Sequence, residues 1–312
     1  MTQFLREPAL FPARIAGETW GAERFDLELA GETFRIEGLS ALQLRGLEER
    51  YCHPERSEGP ASERSSRPAR PGPSLTLGMT TVQMFRAPDS DFLEIDTRGW
   101  EYWVDLDWTE RGFALRGMRV MARVDERRAG IWTCVEAPDE VPGIVENVLR
   151  PLLASRLLAT GGLLVHSASI DGYLFAGRSG AGKSTIARLG LAAGLPVLSD
   201  DLNAVVAANG AFTIAPLPFT GDLQERDRSH QSTALRAVLG LEKGDLERVR
   251  AATIAETVSL LVRCAPYVNQ DTGRMASLLD RAAEIAGVAA RGVVTFRRDG
   301  NVWPILEAGI HP

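Results

Sequence analysis

One octapeptide constrains this chain more than any other feature: Gly177-Arg-Ser-Gly-Ala-Gly182-Lys183-Ser184 fits the pattern G-x-x-x-x-G-K-[ST]. The pattern has meaning only between a strand and a helix, and its flanks suit both. Tyr173–Ala176 is a short apolar run fit for a buried strand. From Ser184 onward, Thr185, Ile186, Ala187, Leu189, Leu191 and Ala192 favour helix, and Gly194 can cap its end. Glycines let the backbone curl so that successive N–H groups point inward at an anion, and the helix N-terminus adds its positive dipole end. On this reading Gly177, Ser179, Gly180, Ala181, Gly182 and Thr185 cradle phosphates. Lys183 reaches the β- and γ-phosphates, and the Ser184 hydroxyl ligates Mg²⁺. ATP and Mg²⁺ are therefore the expected ligands. The plain alternative is a strand-to-helix turn that binds nothing.

Two aspartates follow where such a site needs them. Residues 195–199 read as the next strand, with Asp200 and Asp201 at its C-terminal end. Ligands of parallel α/β sheets bind at the carboxyl ends of strands. Adjacent carboxylates repel unless a cation or a shifted proton relieves them. One can hold Mg²⁺ directly or through water, while the other takes the proton of an incoming hydroxyl. A solvated Asp-Asp opening a turn is the bland reading. His166, behind the apolar run 163–165, can place a cation near a terminal phosphate or be a hydrogen-bonded core histidine. Gly221-Asp222 and Glu225-Arg226, beyond a Pro-rich turn, can add a Mg²⁺ ligand or a phosphate clamp, and Arg263, ending its apolar run, can reach a phosphate as a cation clamp.

Charge narrows the partners. With 35 Lys+Arg against 41 Asp+Glu the net charge is −6, which argues against nucleic acid as the main partner. The apolar run around residues 141–158 is broken by Glu146, Asn147, Arg150, Pro151 and Arg156, so neither a membrane span nor a membrane partner is expected. The N-terminus lacks the features of a signal peptide. Three cysteines, Cys52, Cys134 and Cys264, are scattered and odd in number, which speaks against a zinc site or a disulfide framework and makes a reducing, cytoplasmic setting the default.

The 312 residues read as two domains, 1–140 and 141–312. The first is β-rich. Residues 25–29 alternate apolar with acidic, Ala30-Gly31-Glu32 can turn, and the alternation resumes, as in a hairpin. Tyr102, Val104, Leu106 and Trp108 fall on one strand face, with Glu101, Asp105 and Asp107 on the other, and residues 113–124 hold one or two further strands. Five of the six tryptophans precede residue 140 and read as the large core residues of this sheet. Residues 52–74 interrupt it with five prolines and four arginines, a composition that predicts a disordered insertion. Their string CHPERSEGPASERSSRPARPG resembles translated dispersed palindromic repeats. From Val141 the period becomes helical, with Pro151 expected to kink or restart the helix and Gly161-Gly162 to end it. After the α/β unit comes a tail expected to be helical, broken near Gly240, Gly273 and Gly287.

Leu163-Leu-Val-His166, a tight turn at Asp171-Gly172, the loop 177–184, a helix, and Val197-Leu-Ser-Asp-Asp201 together resemble the bacterial HPr kinase/phosphorylase superfamily. That superfamily shares its core with ATP-dependent phosphoenolpyruvate carboxykinases. The match covers residues of about 161–205. It implies an α+β or α/β chain in which a β-rich N-terminal region precedes a P-loop core of HPr-kinase/PEP-carboxykinase type with a helical tail. It further implies that Lys183 and Ser184 bind nucleotide and metal, that Asp200 is the catalytic base and Asp201 the metal-side carboxylate, and that His166 is the active-site histidine. A short hairpin after His166, and Thr185 where those enzymes carry Glu, set the chain apart from typical HPr kinases.

The expected activity is thus an ATP- and Mg²⁺-dependent transfer of phosphoryl to a hydroxyl of a protein, peptide or small molecule. A homo-oligomer is compatible with it. The alternatives are a shikimate-kinase-type enzyme and a non-catalytic nucleotide switch or assembly protein. A switch needs a hydrolytic aspartate on a later strand, and the tail reads as lacking an apolar strand followed by Asp.

Overall fold

In the computed structural model of the chain, residues 14–52, 78–92, 104–208, 210–219, 221–224 and 227–309 are described. The chain divides into two compact units, Met1–Leu152 and Leu153–Pro312.

The first unit opens on the expected hairpin. Strands β1 (Glu23–Leu29) and β2 (Glu32–Leu39) pair antiparallel with Leu29 opposite Glu32 across Ala30 and Gly31. The period-two pattern turns Phe25, Leu27 and Leu29 to the buried face. Ser40 then starts helix α1 (Ala41–Tyr51) through a capping box with Gln43. Strands β3 (Thr80–Arg86), β4 (Val104–Trp108), β5 (Gly112–Gly117), β6 (Val120–Asp125) and β7 (Arg128–Thr133) complete a seven-stranded sheet in the order β1-β2-β3-β7-β6-β5-β4. β3 runs parallel to both its neighbours, and the other pairs are antiparallel. The N-terminal region is therefore β-rich, as expected. Trp132 is 5% exposed and stacks on Phe85 at 5.1 Å, while Trp108 meets Phe113 edge-on. Trp100, Trp103 and the insertion from residue 53 to 74 lie outside the described residues.

Asp107, on the acidic face of β4, is fully buried. It stands opposite Ala114 on β5, a strand buried along nearly its whole length, so this end of the acidic face of β4 is covered while Asp105 stays exposed. Pro151 does not restart the helix: α2 (Val141–Ala159) is one element. An interior proline costs about 3 kcal/mol. Val145, Val148, Leu149, Leu152, Leu153 and Leu157 are each at most 1% exposed, and every such side chain contributes roughly 1.5–3 kcal/mol.

The second unit runs β8 (Leu163–Ile170), β9 (Tyr173–Ala176), α3 (Lys183–Ala192), β10 (Val197–Ser199), β11 (Leu202–Ala208), β12 (Ala211–Ala215), β13 (Thr233–Ala234), β14 (Ala237–Lys243), β15 (Arg248–Ala251), α4 (Ile254–Cys264), α5 (Met275–Val288), β16 (Ala290–Phe296) and α6 (Trp303–Gly309). Its sheet follows β13-β12-β11-β8-β9-β14-β16-β15, with β10 also pairing β8. β9, β14 and β16 are mutually parallel, so their carboxyl ends share one edge of the unit. Alternation puts helices on both sheet faces. Leu239 and Val294 join Phe175 and Ile186 in the core under α3, whereas Gly240 and Val293 face α4. The tail is accordingly mixed rather than helical, and Gly240 lies inside β14 instead of breaking a helix.

Candidate functional site

The octapeptide connects the end of β9 to the start of α3. Gly180 and Gly182 take φ of 78° and 107°, left-handed backbone that glycine adopts without strain. A Cβ at Gly182 would also come within 2.8 Å of the Phe296 ring. Lys183 folds back beneath the loop: its Nζ donates to the carbonyls of Gly177 at 3.0 Å and Arg178 at 3.1 Å. Only 6% of Lys183 is exposed. Burial pushes its pKa below the ordinary lysine value, opposed by the nearby Cys264, Asp201 and Asp200.

The acidic pair owes its position to a break in a ladder. β8 is bordered on one side by two strands in succession: β11 pairs with residues 163–166 and β10 with Ser169 and Ile170. Asp200 and Asp201 bridge the two, held to β8 by the Ser167 N–H donating to the Asp201 carbonyl at 2.9 Å. Such interruptions re-aim side chains out of the pleat. Asp200, 4% exposed, accepts from the backbone N–H of Asp222 at 3.2 Å and of Leu223 at 3.4 Å. A Cβ on Gly221 would run into the same carboxylate, so the loop can close over it only as glycine. Asp201 is more open, and its Oδ1 lies 3.3 Å from Nε2 of His166 on β8.

A cleft of about 420 Å³ brings these parts together. Ser179, Gly180, Gly182, Lys183, Ser184 and Thr185 line one wall, and His166, Asp200 and Asp201 the other. Gly221 and Asp222 also border it, while Glu225 and Arg226 lie outside the described residues. Gly177, Ala181 and Arg263 line a different groove, between the loop and α4. Among the described residues no group of three or more His, Cys, Asp or Glu can hold a metal by itself. Mg²⁺ needs few protein ligands when phosphates supply the rest, and the Ser184 hydroxyl with the Asp201 carboxylate fits that donor set. The cleft can thus receive a polyanion on its cationic wall and a hydroxyl on its acidic one.

Three residues of the site carry no local signal in the sequence. Arg188, one turn into α3, stands 3.9 Å from Asp222, and Lys243 reaches the cleft from the end of β14. Gly221-Asp222, singled out in the sequence, does border the cleft, where it closes over Asp200. Arg228 is 7% exposed and acts as a strut: its guanidinium donates to Leu198 O at 2.7 Å, to Phe219 O at 3.1 Å and to Leu217 O. It thereby ties the strand that ends in Asp200 to the loop that cradles Asp200.

The reading of the tail also needs amending. β14 and β16 are apolar strands followed by aspartates, Asp245 and Asp299. Both border a neighbouring cleft rather than the one holding His166. Compared with protein-family models and with curated proteins, the chain matches none.

Proposed function

We propose that the second unit is an ATP- and Mg²⁺-dependent phosphotransferase of HPr-kinase-like type, acting on a hydroxyl acceptor. One observation supports this above the rest: a glycine loop at a strand–helix junction opens into the same cleft as a buried, amide-held aspartate and a second carboxylate beside it. Lys183, Ser184 and the loop N–H groups bind the phosphates and hold them in line. Mg²⁺, when bound with the nucleotide, neutralises phosphate charge. Ser184 and Asp201 are the residues that would hold it. Asp200, fixed by two amides, takes the proton of the acceptor hydroxyl as its oxygen attacks the γ-phosphorus and the bond to ADP breaks. His166, whose Nε2 lies 3.3 Å from Asp201 in the same cleft, would offset charge that develops on the transferred group.

Calorimetric titration of ATP–Mg²⁺ into wild type and Lys183→Ala tests the first half. Binding by wild type and its loss in the variant support the reading, and unchanged affinity in Lys183→Ala removes its basis. A nucleotide switch would bind equally well but would transfer nothing, so transfer assays on Asp200 variants carry the second half.

A further inference from the structure

We propose that the nucleoside half of the nucleotide lies in a second cleft at the carboxyl ends of β14 and β16, where Asp245 and Arg298 select a purine base. The inference rests on the phosphate reading above. It starts from the way three hollows adjoin the glycine loop. The cleft containing His166 shares Gly182, Thr185 and Lys243 with a hollow of about 620 Å³. The third hollow, of about 680 Å³ against α4, touches the loop at Gly177, Arg178 and Ala181 and shares no lining residue with the His166 cleft. Two hollows therefore form one continuous trough, and the third lies behind the loop.

A triphosphate laid in this trough has one end fixed by chemistry. Its terminal phosphate belongs beside His166, Asp200 and Asp201. Its other end then leaves past the first turn of α3, at Gly182 and Thr185, towards β14 and β16. That is the 620 Å³ hollow, within the roughly 300–1,000 Å³ usual for ligand pockets. Phe296, 3% exposed, gives it an apolar floor. Lys243 and Arg298 supply cationic side chains with apolar stems, and a guanidinium can stack on a flat ring. Arg297 is tied to Asp299 at 3.1 Å, so its charge is already matched. Asp245 offers an acceptor suited to the exocyclic N–H of a purine such as adenine. Asp245 and Arg298 are exposed, so replacing them leaves the core untouched.

The test compares ATP with inorganic tripolyphosphate, both with Mg²⁺, by calorimetry on the full chain. Tripolyphosphate reads the phosphate half alone. In Asp245→Ala/Arg298→Ala, ATP should bind about tenfold more weakly, while tripolyphosphate keeps its wild-type affinity. Equal losses for the two ligands, or none for either, would overturn the assignment. So would a selective loss of ATP binding in Arg263→Ala, which lies in the hollow behind the loop. Failure of wild type to bind tripolyphosphate at all would instead remove the phosphate reading beneath the proposal.

Discussion

Lys183 carries a charge that its surroundings resist. It is buried, and desolvation lowers its pKa while the two aspartates across the cleft only partly offset that effect. A bound polyphosphate supplies the missing counter-charge and draws the pKa back up. Binding therefore takes up a proton at any pH between the lowered value and the ordinary 10.5. ATP affinity should fall as pH rises through that window, and calorimetry in buffers of different ionisation enthalpy would register the proton uptake. Lys183→Arg should bind more weakly yet lose the pH slope, because arginine stays protonated. Arg228 acts at one remove. Arg228→Met frees the Asp222–Leu223 cradle from the strand that ends in Asp200, so kcat for transfer should drop by about tenfold or more, with ATP affinity little changed. Arg228→Lys should not rescue it, since an ammonium lacks the fork that spans three carbonyls. Equal changes in kcat and affinity would mean that Arg228 only stabilises the fold.

Elements were legible where the signal was local. The β1–β2 hairpin, β9 and the start of α3 can be read because alternation, turn residues and a glycine motif lie within a few positions of one another. β14 was not legible: a parallel strand covered on both faces shows no alternation, and its Gly240 looks like a helix breaker. Helix α2 shows a further limit, since burial of its apolar face overrides Pro151. The same helix carries Glu146, 4% exposed, which accepts from Arg150 at 2.8 Å, from Arg50 on α1 at 3.1 Å and from the Tyr51 hydroxyl at 3.2 Å. Burial, and then the carboxylate beside it, push the pKa of the Tyr51 hydroxyl well above 10. Glu146→Ala removes the buried carboxylate that Arg50, Arg150 and Tyr51 share, and losing one partner of such a set typically costs about 3–5 kcal/mol. Five of the six tryptophans lie in the first unit, so fluorescence-monitored urea unfolding should report the loss. A midpoint equal to wild type would show that the cluster contributes nothing.

At the scale of the whole molecule, the sequence carried the motif and the aspartate pair but not the surroundings that orient them. Lys183, Ser184, Asp200 and Asp201 fall within nineteen positions, with one helix between them. Lys243 comes to the cleft, and Arg228 to the strut behind Asp200, from distant segments through sheet order, which no local pattern encodes. The central claim is that this cleft transfers phosphoryl groups and does not merely sense nucleotide. Its most direct test is Asp200→Asn, assayed with γ-labelled ATP against a cell extract as acceptor source and, in parallel, for ATP–Mg²⁺ binding. Asparagine keeps the shape of the cleft but cannot take a proton. The account predicts binding close to wild type and a fall in label transfer of roughly 10²–10⁴-fold. Asp201→Asn should instead raise the Mg²⁺ concentration needed for half-maximal transfer. If both variants label acceptors as wild type does, or if wild type binds ATP and labels nothing, the cleft is a nucleotide sensor and the phosphotransferase account is wrong.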